Sequence, residues 1–343
     1  MKALPERTEA DRPTRATGAA RMKDVARLAG VAVVTVSRVL NEPDKVAPAT
    51  RDAVRDAIRQ VGYLPNLVAG GLASNRSGMV AIVVPTITNS IFADTVQGAS
   101  DTLEPAGISI LLGQTGYDDD RERALLATML GRRAEGVVVI GCTQAPPARA
   151  LLASARVPIV QTWDLVDDPL DMIVGFSNFD AGHAVATHLI ERGYRRLAFL
   201  GGGDPRSYAR GEGFRAGLRE HAMVAALDIE LPSPAAIDAG RDSAARIREA
   251  MPRIEAAFFS TDVFAAGALL RCRQLGVAVP ADLAIAGFGD LEIAAQVDLT
   301  TVRIRGYDIG RRAAEMILAR LDGKATERRS VDLGFELVVR GTT

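Results

Sequence analysis

Residues 24–41 read DVARLAGVAVVTVSRVLN, and two helical patterns in this run meet at Gly30-Val31. Val25, Leu28 and Ala29 recur at helical spacing before the glycine. Val33, Val36, Val39 and Leu40 recur after it, which turns Thr35, Ser37 and Arg38 outward. Two short helices joined at a glycine form a helix-turn-helix, whose second helix can enter a DNA major groove. The spacing predicts a first helix over 22–29, a recognition helix from about Val33 to Asn41, and a third helix with Val54, Ala57, Ile58 and Val61 on one face.

Outside this run, the composition limits what the chain can be. Its 343 residues exceed the usual single domain, so two or three units are expected, and 48% hydrophobic content is ample for buried cores. No apolar run approaches the roughly 20 residues of a membrane span, and no charged-then-apolar leader precedes the helices. Residues 1–20, rich in Pro, Ala and Arg, read as a disordered tail. Cys142 and Cys272 lie far apart without metal-ligand spacing. Both are expected as small core residues in a reducing cytoplasm. The net charge of −1 is unevenly spread. Residues 1–76 carry 13 Lys/Arg and 8 Asp/Glu, a balance of +5, and the remainder carries 28 and 34, a balance of −6. A basic head on an acidic body suits a sensor that binds nucleic acid.

From Gly78 onward, strand and helix patterns alternate. The apolar runs are MVAIVVP (79–85), ISILLG (108–113), GVVVIG (136–141), VPIVQT (157–162), RLAFLGG (196–202), AAFFS (256–260) and LAIAGFG (283–289). Helical stretches separate them: one through Glu104, a charged one around 118–130, and others at 178–191, near 210–221 and after Asp262. Buried runs separated by helices indicate parallel sheets covered on both faces. Ligands of such sheets sit beyond the carboxyl ends of the strands. That rule selects Asn89 and Phe92 after the first strand, then Gln161, Trp163 and Asp164, then Asp204, Arg206 and Arg210 after the Gly201-Gly202-Gly203 loop. Thr261 ends another strand, with Asp262 expected to cap the helix that follows. Trp163, the single tryptophan, offers a flat face to a sugar carbon skeleton. The glycine triplet lacks the GxGxxG and GxxxxGK[ST] spacings, so it reads as a loop that lets backbone approach a ligand. His183, His188 and His221 fall in helical patterns without a nucleophile motif. No cofactor or metal is therefore expected, and an enzyme is not.

Residues 24–41, Thr50-Arg51, and Gly62-Tyr63-Leu64-Pro65-Asn66 with Ala69 and Leu72 resemble the DNA-binding headpiece of LacI-type bacterial repressors, and the likeness continues through the sensor region. The resemblance implies an all-α helix-turn-helix headpiece followed by an α/β, periplasmic-binding-protein-like sensor with two parallel-sheet lobes. It assigns 21–66 to the headpiece, 67–77 to a hinge helix and linker, and 78–343 to ligand binding and dimerisation. The N-lobe would comprise about 78–176 and 306–325, and the C-lobe about 177–303 and 331–343, with crossings near 176–177, 303–305 and 326–331. Base reading maps onto Val33, Val34 and Arg38. Arg38 can donate two parallel bonds to guanine, whereas the valines either contact a thymine methyl or pack in the core. Thr35 and Ser37 map to phosphate contacts, and Asn41, Asn66 and Ala69 belong to the same DNA-facing set. The residue matching Leu72 wedges into a base step from a hinge helix formed on the operator. Gly70 and Gly71 weaken that helix by about 1 kcal/mol each relative to Ala. Ala32 stands where the family has a capping Ser or Thr, and Ala47 looks like a second lost cap.

For the sensor, the resemblance places Arg210 at the family's ligand-binding basic position. Asp290 lies one residue from a ligand-contacting Asp. The sequences PTITNSIFADTVQG (85–98), DMIVGFSNF (171–179), DPRS (204–207) and DLGFEL (332–337) are most similar to gluconate-utilisation repressors. The implied protein is a cytoplasmic homodimer on double-stranded operator DNA, released by a sugar or sugar-acid effector. A corepressed regulator, an activator and a Rossmann-type sugar enzyme stand as alternatives.

Overall fold

The structure, a computed structural model, describes residues 20–64, 77–88, 90–142, 145–250, 254–324 and 329–343. The readings made for the N-terminal tail, Asn66, Ala69, Leu72, Gly70, Gly71 and Asn89 lie outside these residues. The chain divides into two compact units, Met1–Asn75 and Arg76–Thr343.

In the first unit, α1 (Met22–Ala29), α2 (Val33–Asn41) and α3 (Pro48–Val61) enclose a small core of Val25, Ala26, Val36, Val39, Val54, Ala57 and Tyr63. Gly30 and Gly62 end α1 and α3 in the left-handed conformation, at φ 65° and 64°. Two expected core positions differ. Leu28 is 50% exposed while Ala26 is buried, and Val33 is 46% exposed. With so few residues, only a narrow stripe of each helix can reach the shared centre. Neither Ala32 nor Ala47 makes a side-chain cap bond.

The second unit holds two parallel sheets. Strands β1 (Met79–Val84), β2 (Ser109–Gln114), β3 (Gly136–Ile140), β4 (Ile159–Thr162) and β5 (Met172–Gly175) join a late strand, β11 (Ser330–Asp332), in one sheet of order β11-β5-β4-β3-β1-β2. Helices α4 (Ala93–Leu103), α5 (Asp119–Gly131) and α6 (Pro146–Ser154) connect them. The chain then passes to the C-lobe through α7 (Asn178–Glu191), β6 (Leu197–Gly201), α8 (Pro205–Glu220), β7 (Leu227–Glu230), α9 (Ile237–Ala250), β8 (Ala256–Phe259), α10 (Asp262–Leu275) and β9 (Ala284–Ala286). The second sheet runs β7-β6-β8-β9. After α11 (Glu292–Gln296) and β10 (Thr301–Arg303), α12 (Gly306–Leu321) returns to pack on α4 in the N-lobe. The segment β11 (Ser330–Asp332) then pairs in parallel with β5, and β12 (Glu336–Val338) pairs antiparallel with β10.

This pairing corrects the expected third crossing. Ser330, Val331 and Asp332 belong to the N-lobe sheet, so the chain crosses after Asp332 rather than over 326–331. A three-residue edge strand leaves no apolar run by which a sequence reading could place it. The missed β7, LDIE, is an edge strand with only Ile229 fully buried.

Three helix pairs meet at reciprocal glycines. A Cβ on Gly182 (α7) would overlap the Arg210 carbonyl, and one on Gly213 (α8) would overlap the Phe179 carbonyl. Gly98 and Gly310 form the same arrangement between α4 and α12, as do Gly240 and Gly267 between α9 and α10. The absent side chains let each pair approach to backbone contact. These three pairs are also the most heavily packed in the fold.

Two outcomes follow from these contacts. Gly213→Ala forces α7 and α8 apart, and a loss of at least about 1–3 kcal/mol is expected in urea unfolding of the sensor. Ala47→Ser restores a cap to α3 and should raise headpiece stability by about 0.5–2 kcal/mol, read from its thermal transition in the full-length protein.

Candidate nucleic-acid interface and effector cleft

The first turn of α2 presents an apolar pair to solvent. Val33 is 46% and Val34 64% exposed, while Val36 and Val39 fill the headpiece core. The alternative of a packed core role for the two valines is therefore overturned. Arg38 is exposed, and Thr35 and Ser37 are half-buried beside it. Thr35 N–H donates to the Ala32 carbonyl at 2.9 Å, and no side chain of Ala32 caps the first turn of α2, the end of a helix that favours a phosphate oxygen. Asn41 ends the same helix.

In the sensor, the carboxyl ends of the strands from both lobes face one another across a cleft. Two adjoining cavities of about 150 and 40 Å³ occupy it, and Tyr117 and Arg206 line both. The N-lobe contributes Tyr117 after β2, Cys142 after β3, and Asp164 after β4 to the larger cavity. Trp163 and Phe92 wall the smaller one. The C-lobe contributes Arg206 and Arg210 from the first turns of α8, Ser260 and Thr261 after β8, and Phe288 after β9.

Both arginines are buried. The helix that carries them starts at Pro205 behind the cap of Asp204, whose carboxylate accepts from the backbone N–H groups of Arg206 and Ser207. The Arg206 guanidinium lies 5.2 Å from the centre of the Phe92 ring and donates across the cleft to the Ile140 carbonyl at 3.4 Å. Its separation from the Asp204 carboxylate is 3.7 Å. Gly141, at φ 101°, admits it, because a Cβ there would sit 2.8 Å from Arg206 Nη1.

Arg210 stacks 4.1 Å from the Phe288 ring centre and donates from Nη1 to Asn178 Oδ1 at 2.6 Å. Its Nε is buried with no hydrogen-bond partner among the described residues. Burial lowers the Arg210 pKa to about 10, against the opposing pull of Asp204. It therefore stays cationic at neutral pH. Asp164 is held above the usual carboxylate range by burial, although Leu165 N–H and the Asn178 amide donate to it. Burial likewise raises Tyr117, with Arg206 beside it acting in the opposite direction. The cleft thus combines two fixed cations, a carboxyl group reluctant to ionise, and a phenol.

The pattern named Bacterial regulatory proteins, lacI family, matches residues 21–66, and the Periplasmic binding protein-like domain matches 186–343. The HTH-type transcriptional regulator GntR of Pseudomonas aeruginosa is 36% identical over 340 residues, which cover 98% of this chain and 99% of the relative. The chain belongs to the LacI family. A LacI-family transcriptional regulator from Silicibacter pomeroyi superposes with a TM-score of 0.88 at 33% identity, over 94% of this chain and 99% of that one. The transcription regulator GntR from Chromobacterium violaceum, at 39% identity, covers 77% of this chain and 98% of its own with a TM-score of 0.74. The protein is accordingly a DNA-binding transcriptional regulator with a periplasmic-binding-protein-like sensor.

Within this LacI-family cleft, the candidates chosen from sequence separate into two groups. Phe92, Trp163, Asp164, Arg206, Arg210 and Thr261 come together around the cavities. Gln161 does not. It is wholly buried, its Oε1 accepts from Leu170 N–H at 2.8 Å, and it lines neither cavity. Strand alternation puts it on the sheet face of Ile159, one residue short of the strand end.

Asp290 is also withdrawn. Its carboxylate is clamped by Arg303 at 2.7 Å and Arg340 at 2.6 Å. The cap of α10 is Thr261 rather than Asp262, whose buried carboxylate instead accepts from Leu291 N–H and the Thr301 hydroxyl. Trp163 is only 3% exposed, with its ring edge-on to Phe92 and Phe176, so it closes the cavity rather than offering a broad stacking face.

Cys142, expected in the core, is half-buried and lines the larger cavity; burial pushes its thiol up to about 12. Sequence reading passed over Tyr117, Ser260 and Phe288. Each follows a strand end, so the rule that chose the others could have found them. No helix among the described residues is long and apolar enough to cross a membrane. No metal-ligating cluster occurs among the described residues.

Burial raises the Asp262 pKa to about 6, against the hydrogen bonds from Thr301 and Leu291. The folded protein therefore binds this proton more tightly than the unfolded chain, whose Asp titrates near about 3.9. The resulting cost to stability is absent below about pH 4, grows as pH rises toward 6 and is complete above it. Urea unfolding at pH 5, 6, 7 and 8 should show wild type gaining stability relative to Asp262→Asn as pH falls from 7 to 5. A difference independent of pH would remove Asp262 as the source.

Proposed function

We propose that this regulator is a repressor that reads a pseudo-palindromic operator as a homodimer and is released by a sugar acid of the gluconate type. In this reading, residues 21–66 form the DNA-binding headpiece, 67–77 the hinge helix and linker, and 78–343 the effector-binding and dimerising sensor. Val33, Val34 and Arg38 touch base edges in the major groove, and Thr35 and Ser37 hold phosphates with Asn41 nearby. Asn66, Ala69 and Leu72 contribute from the hinge. One headpiece covers only a half-site, so a dimer is needed to span the operator.

The observation that carries the effector reading is the pair of buried arginines, Arg206 and Arg210. They share one small cleft, and neither makes a two-pronged pair with a protein carboxylate among the described residues. Arg210 Nε in particular is a buried donor with no partner among the described residues. A ligand carboxylate satisfies guanidinium donors in the fork geometry they favour. Asp164, Tyr117, Ser260 and Thr261 supply the mixed donors and acceptors that a row of hydroxyl groups requires. The similarity of the sensor to regulators named GntR supports the same ligand class. Ligand binding and operator binding are then linked, so each lowers the affinity for the other by an equal factor.

The test is fluorescence anisotropy of the full-length protein on its promoter-proximal palindrome, with and without sodium gluconate and related sugar acids. Gluconate is expected to release the operator, and Arg210→Ala to weaken the gluconate response about tenfold to a hundredfold, as loss of a charged hydrogen bond implies. Tighter operator binding with gluconate would make the ligand a corepressor. Tight binding indifferent to every sugar acid would discard the effector class, and turnover of gluconate would favour a sugar enzyme.

A further inference from the structure

A continuous set of hydrogen bonds leaves the cleft through Arg210. Arg210 Nη1 donates to Asn178 Oδ1 at 2.6 Å. The other end of the same amide donates to the Trp163 carbonyl at 2.9 Å and lies 3.4 Å from Asp164 Oδ1. Trp163 Nε1–H donates to Thr95 Oγ1 at 2.9 Å, and the Thr95 hydroxyl donates to the Gly306 carbonyl at 3.0 Å. Arg210, Asn178, Trp163, Thr95 and Gly306 are all buried.

The orientation of Asn178 is fixed by its neighbours. Reversing the amide would set its NH₂ against a guanidinium and its oxygen against a carbonyl oxygen. Thr95 uses its hydroxyl in both senses, accepting from the indole while donating to Gly306.

The positions along this path give it meaning. Arg210 belongs to the C-lobe helix α8, and Asn178 begins α7 directly after the first crossing between the lobes. Trp163 and Thr95 belong to the N-lobe. Gly306 begins α12 directly after β10, at the second crossing. One buried path therefore joins an arginine in the cleft to both of these crossings. Thr95 itself lines neither cavity.

We infer that Asn178, Trp163 and Thr95 form a relay that couples the occupancy of Arg210 by an anionic effector to the geometry of the two chain crossings between the lobes. This deepens, and rests on, the reading of the cleft as a sugar-acid site. Asn178 and Thr95 are positioning residues, acting through Arg210 and Gly306 respectively. A path of packed, buried hydrogen bonds is a physical route for coupling only if breaking it at a distance changes the coupling.

Thr95→Val breaks the relay away from the ligand, and Thr95→Ser keeps the hydroxyl. In the full-length protein, sodium gluconate affinity is read from the fluorescence of the single tryptophan, Trp163. Coupling is read from operator affinity with and without saturating gluconate. Thr95→Val is expected to hold its gluconate Kd within about threefold of wild type while the gluconate-induced change in operator affinity shrinks at least about tenfold, with Thr95→Ser restoring it. A Thr95→Val protein with the full wild-type response overturns the relay.

Should gluconate leave wild-type operator binding unchanged, the effector reading fails on its own, and hydrogen exchange of the ligand-free protein then judges the relay. Arg210→Lys is expected to speed amide exchange in residues 304–310 at least about tenfold while β7 keeps its wild-type rates. Unchanged exchange in residues 304–310 overturns the relay.

Discussion

The backbone contact between α7 and α8, made through Gly182 and Gly213, sets the position of the chemistry in the sensor. Gly182 lies against the carbonyl of Arg210, and Gly213, three residues further along α8, lies against the carbonyl of Phe179. The helix bearing both cleft arginines is thus registered on the helix that begins with Asn178, with no intervening side chain to absorb an error. Arg210 reaches Asn178 at 2.6 Å because the two helix axes are this close. The same device fixes α12 on α4, bringing Gly306 under Thr95. Close-packed interiors transmit such constraints because they have little volume in which to relax.

On this frame, the cleft holds positive charge at a cost the fold offsets in two ways. An aromatic ring faces each guanidinium, Phe92 for Arg206 and Phe288 for Arg210, and a neutral acceptor meets each one, the Ile140 carbonyl and the Asn178 amide. The neutral Asn178 amide keeps the Arg210 guanidinium ordered without neutralising it, so its charge stays available to an anion, whereas Arg206 also has the Asp204 carboxylate at 3.7 Å. Asp290 shows the opposite design. Its carboxylate is held between Arg303 and Arg340, which removes it from recognition and makes it a brace beside the second crossing. Asp262 works with it, tying the start of α10 to Leu291 and to Thr301 on β10.

Much of this was legible from residue order. The helix-turn-helix followed from local spacing around Gly30, and the sheets followed from apolar runs at helical intervals. Strand ends located Phe92, Trp163, Asp164, Arg206, Arg210 and Thr261. The failures share one cause, which is that a side chain's direction is decided by partners distant in the chain. Gln161 sits one residue before a strand end, and pleat alternation sends it to Leu170 instead of the cleft. Asp290 depends on Arg340, fifty positions away. Val331 joins β5 as an edge strand too short to leave a periodic signal. In the headpiece, Val33 fits the helical apolar pattern as well as Val36 does, and only packing against α1 and α3 decides which is buried.

The sequence by itself determined the main local elements and their order, though not the short edge strands β7 and β11: a basic three-helix head, an acidic body of alternating strands and helices, and the strand ends where a ligand can bind. Those properties follow from nearest-neighbour spacing, turn chemistry and charge distribution, which are written along the chain. Only the tertiary structure decided which charged groups face the cleft and which are spent on one another. It also joined Arg210, Asn178, Trp163, Thr95 and Gly306 into one path spanning both crossings. Hydrogen bonds and ion pairs are satisfied by whichever partner the packing of helices and sheets delivers within about 3 Å, and no local pattern in the sequence encodes that delivery.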